Sequence, residues 1–104
     1  MSVNLKSICL DTDSYKSGMW LQYPNGTEYV YSYIESRGGM YDVAVFFGLQ
    51  AYLKEYLSVP VTQEDIDYAA KVYAAHGDPF NREGWEYVLK EHGGYLPVKI
   101  SAVQ

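Results

Sequence analysis

Between Thr27 and Arg37 the chain alternates, with Tyr29, Tyr31, Tyr33 and Glu35 on one face and Val30, Ser32 and Ile34 on the other. A period of two carried by aromatic and β-branched residues predicts a strand over residues 27–37, closed by Gly38-Gly39. Beyond it the period becomes helical. Val45, Phe46, Leu49, Tyr52, Leu53, Tyr56 and Leu57 share one stripe behind Asp42, which predicts a helix over 43–57 with Pro60 just past its end. Thr62 and Asp65 make a capping-box-like pair for a second helix over 62–76, whose inner stripe is Ile66, Ala69, Ala70 and Tyr73 and which Gly77 and Pro79 stop. Asn81 caps a third helix over 81–92, with Phe80 able to staple onto Trp85, an inner stripe of Trp85, Val88 and Leu89, and Gly93-Gly94 after it. Leu96, Val98, Ile100 and Ala102 then alternate with Lys99 and Ser101, which predicts a second strand over 96–103.

The N-terminal part is less regular. Ile8 to Leu10 reads as a short buried strand, and Asp11 to Asp13 offer capping chemistry for a short helix to about Trp20, with Tyr15 and Met19 on one face. Tyr23-Pro24-Asn25-Gly26 is a turn, because proline fixes the first central dihedral and Asn or Gly accepts the left-handed one. The expected fold class is α+β: a small sheet of two long strands, packed with three helices and a short N-terminal helix, in a single domain over residues 1–104. Two strands make a marginal sheet, so another chain or a further portion of the protein is expected to complete it. The sequence stops on its last strand with no cap or linker, and a truncated domain is the expectation.

Composition narrows the function. No apolar run approaches the ~18 residues of a membrane span, and Met1 to Lys6 lack the apolar core of a secretory signal. The single Cys9 excludes an internal disulfide and fits a reducing, cytoplasmic setting; between Ile8 and Leu10 it reads as a buried structural thiol. Net charge is −5 with no basic stripe, which argues against a nucleic-acid backbone as partner. Tyrosine stands out at 12 of 104 residues, and its flat apolar body with a polar tip suits cores, interfaces and ring-stacking sites alike.

The chemistry concentrates in Leu10-Asp11-Thr12-Asp13-Ser14-Tyr15-Lys16-Ser17-Gly18-Met19-Trp20. A D-x-D after an apolar segment invites a Mg²⁺ phosphotransferase, but that chemistry needs further carboxylates on other strands of a parallel sheet, for which the chain has no room. A calcium loop fails because Tyr15 stands where an oxygen ligand belongs and Lys16 where the turn glycine is needed. A phosphate loop fails because Lys16-Ser17-Gly18 lacks preceding glycines. From the residues alone, Asp11 or Asp13 caps a helix and Tyr15 packs. His76 and His92 sit in last turns of helices and lack metal-ligand spacing, so no metal site is expected. Arg37 beside Gly38-Gly39 could admit an anion closely, or be a solvated or salt-bridged arginine.

Taken together, D-T-D-S-Y-K-S-G followed by Q-Y-P, then Y-V-Y-S-Y-I-E-S-R-G, V-F-F-G-L-Q-A-Y-L-K-E-Y-L, G-W-E-Y-V-L and G-G-Y-L-P-V-K-I-S-A-V resemble the N-terminal region of the nicotinamide phosphoribosyltransferase family, from about Ile8 to Val103. The resemblance implies a part of a homodimeric enzyme of NAD salvage. Such enzymes move the phosphoribosyl group of phosphoribosyl pyrophosphate onto nicotinamide, with Mg²⁺ and ATP, at sites between subunits built around an α/β barrel. It further implies that Tyr15 stacks on the nicotinamide ring, that Asp13 lines the same pocket, that Arg37 faces phosphate, and that Lys16 stands adjacent. These are substrate-binding roles; no complete catalytic set is implied within residues 1–104, and no cofactor is expected to be bound by this chain itself. The barrel that resemblance demands lies outside these residues, so the chain is expected to be inactive alone and to act with a barrel-containing chain or as a homo-oligomer. The rival reading is a non-catalytic interaction module that pairs with a full-length or complementary chain through an unfinished strand edge.

Overall fold

A computed structural model describes residues 7–103; Met1 to Lys6, read above as lacking a signal core, lie outside the described residues. The chain folds as a small helical core with long uncovered segments. In order come a 3-10 turn Ile8–Leu10, a 3-10 helix Ser14–Gln22, helix α1 Leu49–Tyr52 continuing as a π-helical turn Leu53–Leu57, helix α2 Gln63–His76 and helix α3 Arg82–His92.

Helices α2 and α3 form where the sequence expects them, for the expected local reasons. Thr62 and Asp65 complete a reciprocal box: the Asp65 amide donates to Thr62 Oγ1 at 3.2 Å and the Thr62 amide to Asp65 Oδ2 at 3.0 Å. Asn81 Oδ1 accepts from the Gly84 amide at 2.9 Å, satisfying one of the free donors at the start of α3. Both helices end on a left-handed glycine, Gly77 and Gly93. Their seam is the core: Ile66 and Ala69 are fully buried, with Cys9, Val61 and Tyr73, and Ile8, Leu10, Phe80, Trp85 and Leu89 close around them. Full burial of a side chain such as Ile66 stabilises by roughly 1.5–3 kcal/mol. Phe80 stacks on Tyr73 with ring centroids 5.3 Å apart. On the outer side, Arg82 bridges Asp67 of α2 and Glu86 of its own helix, and Gln63 Nε2 donates to Asp67 at 3.1 Å. The hydrogen bond from Gln63, joined by Arg82, holds the Asp67 carboxyl below its ordinary range. Gly94 lies so close to the 61 backbone that a Cβ would stand 2.4 Å from the Val61 carbonyl oxygen, and the Val61 amide donates to the Gly94 carbonyl at 2.8 Å.

The expected sheet does not form. Among the described residues there is no strand, and no backbone–backbone hydrogen bond involves residues 28–47. The two stretches predicted as strands, 27–37 and 96–103, are extended or irregular and do not pair. Alternation records two faces, but a strand exists only when a neighbour takes its N–H and C=O groups, and the described residues supply none. Tyr31 is 94% and Ile34 97% exposed, so both faces of the first stretch meet solvent. The α+β expectation is therefore replaced by a helical core with unpaired arms.

Three smaller corrections follow the same logic. Ile8–Leu10 is a 3-10 turn, not a strand, although Cys9 is buried as expected. The segment expected as a helix to Trp20 is a 3-10 helix over Ser14–Gln22 with no buried residue. The helix expected from residue 43 starts at Leu49, because Gly48 at φ 96° breaks the helical path and the β-branched and aromatic residues before it have weak helix preference and no surface to cover. Phe47 remains 93% exposed.

The surface left open is large. The chain exposes 9005 Å², against about 5,900 Å² for a compact monomer of this mass. Its radius of gyration is 15.7 Å, against roughly 13 Å for a compact chain of this length. No helix among the described residues is long and apolar enough to cross a membrane.

Candidate functional site

The chemistry-bearing strip Asp11 to Gly18 is fastened to the core at its two ends. At its start, Tyr73 Oη donates to the Cys9 carbonyl at 3.0 Å inside the protein. At its end, Gly18 approaches Pro79 so closely that a Cβ would stand 2.7 Å from the proline Cγ. The thiol of Cys9 is 3% exposed, and burial pushes its pKa up to about 11, which suits a packing role and removes it as a nucleophile.

Between these anchors the strip is open. Asp13 precedes the 3-10 helix in an extended conformation, and its side chain makes no capping hydrogen bond. Its carboxylate faces Lys16 Nζ at 3.5 Å, an exposed pair of the sort worth little in water. The Tyr15 ring is 67% exposed, with Lys16 Nζ 5.7 Å from its centroid. Asp13, Tyr15 and Lys16 thus share one exposed turn, with a largely exposed aromatic ring, an anion and a cation.

Arg37 is exposed in the unpaired 27–37 stretch, and no hydrogen bond, ion pair or ring contact joins it to the other three among the described residues. Of the four residues that the resemblance names, Asp13, Tyr15 and Lys16 lie on one turn by chain proximity, and, among the described residues, Arg37 is not joined to them. Asp11, read from the sequence as a candidate helix cap, accepts a hydrogen bond from Tyr52 Oη at 2.9 Å. Burial, then that bond, raises the Tyr52 phenol above its ordinary range. No local pattern signals this pairing, because the two residues stand 41 apart in sequence and Tyr52 sits on an apolar stripe. No group of three or more His, Cys, Asp or Glu is gathered tightly enough to hold a metal ion among the described residues. His92 instead meets Tyr87 edge-on, ring centroids 5.7 Å apart. Beyond the strip, an open depression of ≈ 490 Å³ is lined by Trp20, Leu21, Tyr23, Pro24, Asn25 and Thr27, among others.

The described residues form a small helical core that leaves one polar–aromatic strip and long unpaired arms in solvent. The particular family follows from comparison with known proteins. Residues 7–100 match the family model of the nicotinamide phosphoribosyltransferase N-terminal domain, and the chain belongs to that family. It is similar to a nicotinamide phosphoribosyltransferase of Xanthomonas campestris pv. campestris (strain 8004), 54% identical over 99 residues, covering 95% of this chain and 21% of the relative. It is also similar to one of Acinetobacter baylyi (strain ATCC 33305 / BD413 / ADP1), 33% identical over 107 residues, covering 88% of this chain and 21% of the relative. The chain spans about a fifth of the length of the curated relatives it matches.

Proposed function

We propose that this chain is the N-terminal, substrate-contacting domain of a cytoplasmic enzyme that transfers a phosphoribosyl group from phosphoribosyl pyrophosphate to nicotinamide in NAD salvage. Its role is to lend Tyr15 and Asp13 to a pocket whose other walls lie outside residues 1–104, at an interface between subunits. One observation carries the reading: the Tyr15 ring is two-thirds exposed while Asp13, two residues before it, is free of any capping bond. Stacking of a pyridinium-like ring on a desolvated tyrosine face contributes of order 0.5–2 kcal/mol. A carboxylate beside it suits a ring that gains positive charge as the glycosidic bond forms. Arg37, with its planar donor fork, would grip phosphate once the 27–37 stretch is carried to the site; Lys16 adds a second cation next to Asp13.

Among the described residues, Asp13, Tyr15, Lys16 and Arg37 belong to no group of carboxylates or histidines that could hold a metal ion. Preorganised charge around both substrates is what such a reaction requires, and three or four residues of one wall do not supply it. The test is co-expression with a barrel-containing chain of the family, followed by an assay for nicotinamide mononucleotide. Product is expected from the pair, less from a Tyr15→Ala pair, and none from the 104-residue protein alone. Activity of the isolated chain, or a Tyr15→Ala pair as active as the parent, would refute the reading.

A further inference from the structure

A 3-10 helix of nine residues is long for its kind, because its hydrogen bonds are poorly aligned, and Ser14–Gln22 buries no side chain to compensate. Something outside it must set where Asp13 and Tyr15 stand. The hydrogen bonds within the strip are local: the Lys16 amide to the Asp13 carbonyl at 3.0 Å, and Ser17 Oγ to the Ser14 carbonyl at 2.9 Å. Among the described residues, one side-chain hydrogen bond reaches residues 11–17 from another element: Tyr52 Oη to Asp11 Oδ2, 2.9 Å. Tyr52 is itself held, since its ring stacks on Tyr56 with centroids 4.7 Å apart and planes 22° apart. Tyr56 belongs to the π-helical turn Leu53–Leu57, a rare element that often marks a functional site.

We propose that Tyr52 is a positioning residue: through Asp11 it fixes the register of the Asp13–Tyr15 turn, so that the stacking ring is presented in a binding-ready orientation. The chain of contacts runs Tyr56, Tyr52, Asp11, and then two residues of backbone to Asp13. A phenol donating to a carboxylate is among the stronger hydrogen bonds, and it ties the strip at a point between the Cys9 and Gly18 anchors. Without it, the polar contacts that hold Asp11 to Ser17 are local: short-range backbone bonds, Ser17 Oγ to the Ser14 carbonyl, and the exposed Asp13–Lys16 pair. The functional half of this inference rests on the reading of Tyr15 given under Proposed function; the structural half does not.

The test has two arms. In the 104-residue protein, amide hydrogen exchange is followed in Tyr52→Phe, Asp11→Ala and Asp11→Asn. Tyr52→Phe keeps the ring stack and removes the donor, while Asp11→Asn keeps an acceptor oxygen. Exchange of residues 11–17 is expected to rise about threefold to tenfold in Tyr52→Phe and Asp11→Ala, with α2 and α3 unchanged and Asp11→Asn restored toward the parent. In the co-expressed pair, KM for nicotinamide is expected to rise by a similar factor in Tyr52→Phe while kcat holds within about twofold. Unchanged exchange in Tyr52→Phe, or Asp11→Asn as loose as Asp11→Ala, overturns the latch. If Tyr15→Ala raises KM and Tyr52→Phe does not, the positioning role fails and the Tyr15 reading stands. If Tyr15→Ala leaves KM unchanged, the Tyr15 reading fails and takes the positioning role with it. Should the pair make no product, the exchange arm alone decides the latch.

Discussion

The phenol of Tyr73 on α2 donates to the backbone carbonyl of Cys9 at 3.0 Å, a buried hydrogen bond between residues 64 apart in sequence. It joins the N-terminal segment to the helical core and so sets where the Asp11–Gly18 strip begins. Removing the hydroxyl leaves a carbonyl in the interior with no donor. Tyr73→Phe is expected to destabilise by about 1–2 kcal/mol, read as a lower urea midpoint with unchanged slope. A midpoint equal to the parent's would mean that water satisfies the carbonyl as well as Tyr73 does.

Burial gives the Cys9 thiol a pKa of about 11 from an ordinary value of 9.0. A folded-state pKa above the unfolded one means that the unfolded chain loses its proton first as pH rises. The contribution to stability is therefore complete below pH 9 and is lost as pH climbs through 11. Tyr73, raised by its own burial, adds to the loss above the ordinary tyrosine range. Unfolding midpoints should be level from neutral pH to about 9 and fall above it. At pH 8 a thiol reagent should react only on unfolding, and reaction with the native protein at the rate of a free thiol would show that Cys9 is accessible.

Gly18 has no room for a side chain, since a Cβ would stand 2.7 Å from Pro79 Cγ. In Gly18→Ala the 3-10 helix must lift from the α2–α3 connection, while the core beneath is untouched. Trypsin should then cut after Lys16 at least severalfold faster, with global stability changed by less than about 1 kcal/mol. A cleavage rate equal to the parent's would show that the strip is not seated on Pro79.

The exposed surface exceeds that of a compact monomer by about half, and much of the excess is aromatic, including Tyr29, Tyr31 and Phe47. Self-association at micromolar concentration is the expected outcome, seen by sedimentation velocity. A Tyr31→Ser, Ile34→Ser double variant should shift the distribution toward monomer. A single monomeric species in the parent at that concentration would count against a buried role for this face.

Much of the helical core is legible in the sequence. Thr62 with Asp65, and Asn81, announce the starts of α2 and α3, because capping is a transaction among residues within one turn. Ile66, Ala69 and Tyr73 fall on the inner stripe and are buried. Asp13, Tyr15 and Lys16 share a turn because they lie within four residues of one another, while their grouping as a site comes from the family resemblance and not from local pattern, which reads Tyr15 as packing.

The sequence was misleading where structure depends on a partner. Residues 27–37 carry the pattern of a strand, yet pairing is a property of two segments, and among the described residues no second one lies against it. Val45 and Phe46 fit a helical stripe, yet Gly48 turns left-handed before Leu49 and the stripe has no core there to meet.

By itself, then, the sequence determined what is local: two capped helices, the buried stripe of α2, a buried lone thiol, and a short acidic–aromatic turn. Only the tertiary structure decided that the long alternating stretches stay unpaired, that Tyr52 reaches Asp11, and that Pro79 closes on Gly18. The reason is range. A cap or an amphipathic stripe is fixed by residues three or four apart, whereas a ladder, a latch or a seat is fixed by groups that meet only after the chain has folded.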